Sequence, residues 1–175
     1  RQQAHLYCLR RDWTRAATTL EPLVTRSGQS DTDLRAQISE LYAKAGQYDA
    51  GLKWVLEWEK ASPASVAPRI AHAQLLHSRG KGHEALPILE RADREFGGRP
   101  EILTPLAALY ASLGRGAEAL ETYGRLYEAT KDPQEKLRWV QTMSEVAGQA
   151  GLRQRLIEKL EREHQTNRSS VIPLL

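Results

Sequence analysis

"LYAKAGQYDAGLKWVLEWEKASP", residues 41–63, holds two stretches of helical apolar spacing that meet at Gly46 and close at Pro63. The first reads as the end of an amphipathic helix and the second as a helix stopped by its proline. The glycine between them supplies a left-handed backbone that a helix C-terminus often needs. A near copy, "LLHSRGKGHEALPILERADREFG", residues 75–97, begins thirty-four residues later. The pair predicts a repeated helix–turn–helix unit.

Working outward, Arg11, Gly46, Gly80, Gly114 and Gly148 serve as turn residues, spaced by 35, 34, 34 and 34 positions. A fixed period of this length marks a repeat architecture. Seven residues before the first four turns stand Ala4, Ser39, Ala73 and Ala107, all small. Four before them stand Tyr7, Tyr42, Leu76 and Tyr110, all large. Five after come Ala16, Gly51, Ala85 and Ala119, and nine after come Leu20, Val55, Leu89 and Tyr123. Two antiparallel helices joined by a short turn approach closely only where one offers a small residue, so these columns predict tight hairpins. Second helices are expected near Thr14, Asp49, His83 and Ala117, with Thr14 and Asp49 as N-caps. Neither helix of a pair buries its apolar face alone, so each pair must stack on its neighbours.

The pattern resembles the tetratricopeptide repeat family, on the residues "ISELYAKAGQYDAGLKWV", "HAQLLHSRGKGHEALPIL" and "LAALYASLGRGAEALETY". The resemblance implies an all-α, right-handed α-solenoid of antiparallel helix pairs. In that frame residues 1–31 are a partial first repeat, and 32–65, 66–99 and 100–133 are full repeats. Residues 134–167 form a degenerate pair and 168–175 start a further repeat. The family's closing proline stands at Pro63, is replaced by Gly97 and is displaced to Pro133. "SVIPL" at the C-terminus matches "ILTPL" two periods earlier, Pro173 against Pro105, which suggests an array cut within a repeat. A frayed tail is the alternative. The start "RQQAHLYCLRRDW" has no initiating Met and no signal-peptide pattern, and reads as an excised piece.

Several departures carry structural expectations. Twelve residues past the turns stand Leu23, Trp58, Ala92 and Leu126, where the family prefers Ala. Trp58 is expected in the core, in a gap made by Ala71 and Ala73, with Trp54 partly exposed. Around Gly148 the columns fail, leaving a stripe of Leu137, Val140, Ala147, Leu156, Ile157 and Leu160 with Trp139 outside it. Pro22 is expected to kink its helix, Pro87 falls in a first turn, and Pro105 is expected to start a helix capped by Thr104.

Little in the chain points to chemistry. The net charge is +3 and no basic block exceeds two residues, which is not the footprint of a nucleic-acid binder. No apolar run approaches the ~20 residues of a membrane span. The single Cys8 leaves no internal disulfide or thiolate-rich metal site. The five histidines are not paired at ligand spacing, and His5 with Cys8 is two ligands without a third. "GRGAE" and "RGKGHE" join helices and follow no strand, so neither is a phosphate loop. "NRS" at Asn167 is a glycosylation sequon by spelling only. No catalytic residue, metal ligand or cofactor site is assigned.

What remains is surface. In the family the first helix of each pair lines a concave groove that receives a partner. Carried over by register, the groove candidates are Asp33, Ala36, Gln37, Glu40, Lys44, Ile70, Gln74, His77, Glu101, Thr104, Ala108 and Ser112, with Glu135, Arg138 and Glu145 added by the degenerate pair. This groove is acidic although the chain is basic. The carboxylate clamp of co-chaperone domains is missing, since its places read Ala36, Gln37, Glu40, Ala67 and Ala71. The expected function is a non-catalytic protein–protein interaction scaffold. Arg outnumbers Lys eighteen to seven, a bias of GC-rich bacterial genomes. The style resembles periplasmic arrays of exopolysaccharide export machines at the outer membrane, which implies a periplasmic polysaccharide-modifying enzyme as partner. A cytoplasmic setting, or the accessory region of an enzyme or sensor, is the alternative.

Overall fold

The computed structural model describes residues 2–27 and 31–169. Ten helices account for them: α1 (Gln2–Leu9), α2 (Trp13–Ser27), α3 (Thr32–Lys44), α4 (Tyr48–Ala61), α5 (Ala67–Ser78), α6 (Gly82–Phe96), α7 (Pro100–Ser112), α8 (Gly116–Ala129), α9 (Pro133–Gln149) and α10 (Arg153–Ser169). No strand occurs among the described residues. The chain divides into two compact units, Arg1–Pro105 and Leu106–Leu175, with the boundary inside α7. Residues 170–175, where a further repeat is expected to begin, lie outside the described residues.

The turns repeat one hydrogen-bond pattern. The amide after each turn residue donates to the carbonyl five residues earlier: Asp12 to Tyr7, Gln47 to Tyr42, Lys81 to Leu76 and Arg115 to Tyr110, each at 2.9 Å. Gly46, Gly80 and Gly114 take φ of 69°, 81° and 74°, and Arg11 takes 56°. This is the helix-ending motif closed by a left-handed residue. Gly46 has open space where a Cβ would sit, so only backbone strain opposes a side chain there. Gly46→Ala is therefore expected to cost about 1 kcal/mol, and Arg11→Gly to gain a few tenths to about 1 kcal/mol. Urea titrations of both variants check the pair of signs; equal signs would contradict the turn geometry.

The fifth turn corrects the sequence reading. Gly148 lies inside α9, and the left-handed residue is Gly151, with φ of 69°. Leu152 N–H donates to Ala147 O at 2.8 Å, the same bond as in the other turns. The turn falls three residues later than the 34-residue spacing requires, almost one helical turn. Counted from Gly151, Trp139, Met143, Val146 and Ala147 take the places of Leu34, Ile38, Leu41 and Tyr42. Met143, Val146 and Ala147 are buried, as are those four. Leu137 and Ile157, expected on the apolar stripe, are about half exposed. Trp139 packs instead: its ring lies 6.0 Å from that of Tyr123, and its Nε1–H donates to Thr130 Oγ1 at 3.1 Å.

Within Arg1–Pro105 the columns build the core as the spacing predicts. Ala4, Ala16, Leu20, Tyr42 and Ser39 are buried between α1, α2 and α3. A Cβ on Gly51 would meet Leu75 of α5 at 3.0 Å and Tyr42 Cβ at 3.1 Å, so this small residue lets two pairs close on each other. Trp58 is 1% exposed and packs with Val55 and Ala71, against which Trp54 and Ala67 rest. Trp54 is half-buried, as expected, and donates from Nε1 to Arg35 O at 3.2 Å. Tyr42 hydroxyl donates to Glu21, tying α3 to α2, and burial with that carboxylate pushes the phenol pKa upward.

Caps and prolines differ from expectation. The second helices are capped at the residue after the turn: Gln47, Lys81 and Arg115 precede α4, α6 and α8 without a side-chain capping bond. Thr14 and Asp49 are inside their helices. Asp12 rather than Thr14 accepts an amide at the start of α2, from Arg15 at 3.2 Å. Helix α7 starts at Pro100 and runs through Pro105, so Thr104 is not its cap; its hydroxyl donates back to Pro100 O at 2.8 Å. Tight packing holds α7 helical there: Ile102, Leu103 and Leu106 are all buried.

Candidate interaction groove

The register that builds the core also decides what faces outward from the first helices. On α3, Leu34, Ile38, Leu41 and Tyr42 point inward, which leaves Asp33, Ala36, Gln37 and Glu40 exposed on the opposite side. On α5, burial of Pro68, Ala71, Leu75 and Leu76 likewise leaves Gln74 and His77 exposed. Helices α3 and α5 pack side by side with α4 behind them. Their exposed sides border a groove of about 550 Å³ lined by Asp33, Ala36, Gln37, Glu40, Gln74 and His77, with Ser39, Ala43, Leu75 and Ser78 completing it. Six predicted residues thus meet in one cavity.

A second cavity of about 370 Å³ adjoins the first through Asp33 and Gln37, which line both. Its other walls include Ala4, His5 and Cys8 of α1. These were not among the predicted residues, yet the register contains them. His5 stands six residues before its turn, as Glu40 and Gln74 do, and Cys8 stands three before, as Ala43 and His77 do. Extending the columns into the first copy finds them.

The remaining candidates fall elsewhere. Lys44 turns back on its own helix, pairing with Glu40 at 2.7 Å and lying over the Trp13 ring at 5.6 Å. Ile70 is half-buried against Val66, Ala92 and Ile102 rather than in the groove. Glu101 is exposed, 3.9 Å from Arg99, and Thr104 is exposed on α7. Ala108, Ser112, Glu135, Arg138 and Glu145 are exposed in the Leu106–Leu175 unit. Ala71, one of the missing clamp places, faces Trp58.

Electrostatically the groove is one-sided. Asp31, Asp33 and Glu40 line its two halves, and among the described residues no lining residue is Lys or Arg. Asp31 is engaged, accepting the Leu34 amide at 3.2 Å. Asp33, Gln37, Gln74 and His77 make no side-chain hydrogen bond or ion pair among the described residues. No three His, Cys, Asp or Glu among the described residues stand close enough to hold a metal ion. No described helix is long and apolar enough to cross a membrane.

The Leu106–Leu175 unit carries a cleft of its own, about 490 Å³, between α8 and α10. Leu120, Leu152 and Leu156 form its apolar part, bordered by Glu118, Glu121 and Arg155. The sequence reading missed it because its candidates came from the first helix of each pair, whereas α8 and α10 are second helices.

Comparison with known proteins agrees with this geometry. A tetratricopeptide repeat family model matches residues 76–137. A solved structure of MamA AMB-1 is 15% identical, covers 97% of this chain and 98% of its own, and superposes with a TM-score of 0.57. A further crystal structure of MamA is 14% identical over 94% of this chain and 96% of that one, with a TM-score of 0.61. A putative kinesin light chain with nearly identical TPR-like repeats, from Podosopora anserina, is 17% identical over 98% and 95%, with a TM-score of 0.64. No curated protein matches the chain. The fold is that of tetratricopeptide-type helical repeats, and at these identities the likeness to the solved structures is one of fold.

Proposed function

We propose that the chain is a non-catalytic scaffold that docks a partner protein in the groove of α1, α3 and α5. The observation that carries this reading is the convergence of six register-related residues on one cavity, whose polar side chains are largely unengaged within the chain. The core explains the buried columns, and the outward residues Asp33, Gln37, Gln74 and His77 make no side-chain hydrogen bond or ion pair among the described residues, which leaves them open to a partner. The absence of Lys or Arg from the lining among the described residues speaks against a co-chaperone-type clamp on a terminal carboxylate. Placement in a periplasmic exopolysaccharide export machine, recruiting a polysaccharide-modifying enzyme, is a narrower proposal. Its support is the residue bias and style of the repeats, and a β-barrel segment encoded in the same chain would strengthen it.

The test fills the groove. Ala36 is exposed on α3, so Ala36→Arg adds bulk and charge to the cavity at a helix-compatible position. A random dodecapeptide library is selected on the immobilised protein, and recovered peptides are re-assayed on the variant. Peptides whose binding falls about ten-fold or more on Ala36→Arg, a change of ~1.4 kcal/mol, are the expected result. A pool that binds both proteins equally would remove the groove as the docking surface.

A further inference from the structure

We infer that the occupant of this groove is an extended segment of a partner chain carrying Lys or Arg, an assignment that rests on the docking role proposed above. Charge gives the first reason. Among the described residues the lining holds three carboxylates and no Lys or Arg, although the chain as a whole is +3. Asp31 is committed to capping α3, and Glu40 is paired with Lys44. Asp33 is left free, at the junction where the two cavities meet. An arriving ammonium or guanidinium meets one unpaired carboxylate there, while the Lys44 ammonium is held on Glu40 at 2.7 Å. An acidic segment, a phosphorylated one or a terminal carboxylate would meet the reverse.

Hydrogen-bond chemistry gives the second reason. Gln37 on α3 and Gln74 on α5 each bring an unengaged carboxamide to the same cavity. A carboxamide offers both a donor and an acceptor. Two of them on neighbouring helices suit a strand-like segment, whose amides and carbonyls are unpaired. A docked helix has already satisfied its own backbone and would offer both carboxamides side-chain partners only. Ala4, Ala36 and Ala43 are small places in the walls where a backbone can approach closely. At a helix spacing of 8–10 Å, crossing the packed pair α3 and α5 alone takes about three extended residues.

The peptide selection described above tests this through composition. Among peptides lost on Ala36→Arg, the share of Lys plus Arg is expected to rise about two-fold or more over the input library. One such peptide, fluorescein-labelled, should bind Asp33→Asn about two- to five-fold more weakly, the effect of one solvent-accessible ion pair. Glu57→Gln, on the exposed side of α4, should leave its affinity unchanged. Groove-dependent peptides with no excess of Lys and Arg would overturn the inference and leave the docking role standing. So would an apolar spacing of three and four residues in the selected pool, the mark of a helical ligand. Equal losses for Asp33→Asn and Glu57→Gln would also overturn it, as diffuse attraction. If no groove-dependent peptide emerges, both the inference and the docking role fall.

Discussion

Truncating Trp58 to alanine should lower the stability of the Arg1–Pro105 unit by about 3–5 kcal/mol, the range for a fully buried aromatic side chain. The ring is 1% exposed and fills the space between α4 and α5, against Val55 and Ala71. Two terms add: the ring's transfer free energy, and a cavity that cannot collapse because both helices are held elsewhere by Gly51 and Leu75. Trp58→Phe keeps most of the volume and should cost markedly less. Denaturant titration followed by the remaining tryptophans measures both. A loss below about 1 kcal/mol for Trp58→Ala would place the ring at the surface and break the register of the second repeat.

Gly116→Ala should destabilise the Leu106–Leu175 unit by about 1–3 kcal/mol, the cost of inserting a methyl into a closed contact. Helix propensity alone predicts the opposite sign, a gain of about 1 kcal/mol for alanine over glycine inside a helix. Packing decides the outcome, because a Cβ on Gly116 would stand 2.4 Å from Ala150 Cβ. Neither atom is the end of a flexible side chain, so backbone must move. Ala150→Gly removes the obstacle, and the double variant should recover stability with a coupling of about 1–2 kcal/mol. A stabilising Gly116→Ala, or strictly additive variants, would show that the end of α9 does not press on the start of α8.

The two substitutions mark where the sequence was legible and where it was not. Trp58 was readable because its neighbours obey a constant spacing, and the small Ala71 of the next helix leaves the ring a pocket. Gly116 was not, since its clash partner comes from the one turn that breaks the spacing. The three extra residues before Gly151 turn α9 by about 300°, roughly 60° short of a full turn. The expected stripe is therefore right only in part: Ala147 and Leu156 are buried, while Leu137 and Ile157 are about half exposed. Counted from Gly151, Ser144 and Leu160 suit the small and apolar columns, but Ala147 stands where the other copies are large and Leu156 where they are small, so the copy stays degenerate.

Caps were misjudged for a different reason. Thr14 and Asp49 have the right side chains, but the six-to-one bond after each turn fixes the helix start one or two residues earlier. Backbone closure outweighed a side-chain preference worth about 1 kcal/mol. At Pro105 the burial of Ile102, Leu103 and Leu106 outweighed a missing backbone bond. On the groove, exposure followed from the core register, which explains why six predicted residues meet. Lys44 and Ile70 did not follow because long side chains choose partners that spacing cannot encode: a glutamate one turn away, and an apolar cluster beside α7.

The most direct test of the groove is an amide chemical-shift map of the isotope-labelled protein titrated with a selected peptide. Docking in the groove predicts perturbations along α1, α3 and α5, strongest near Asp33, Gln37, Gln74 and His77. Perturbations confined to α2, α4 and α6 would contradict it.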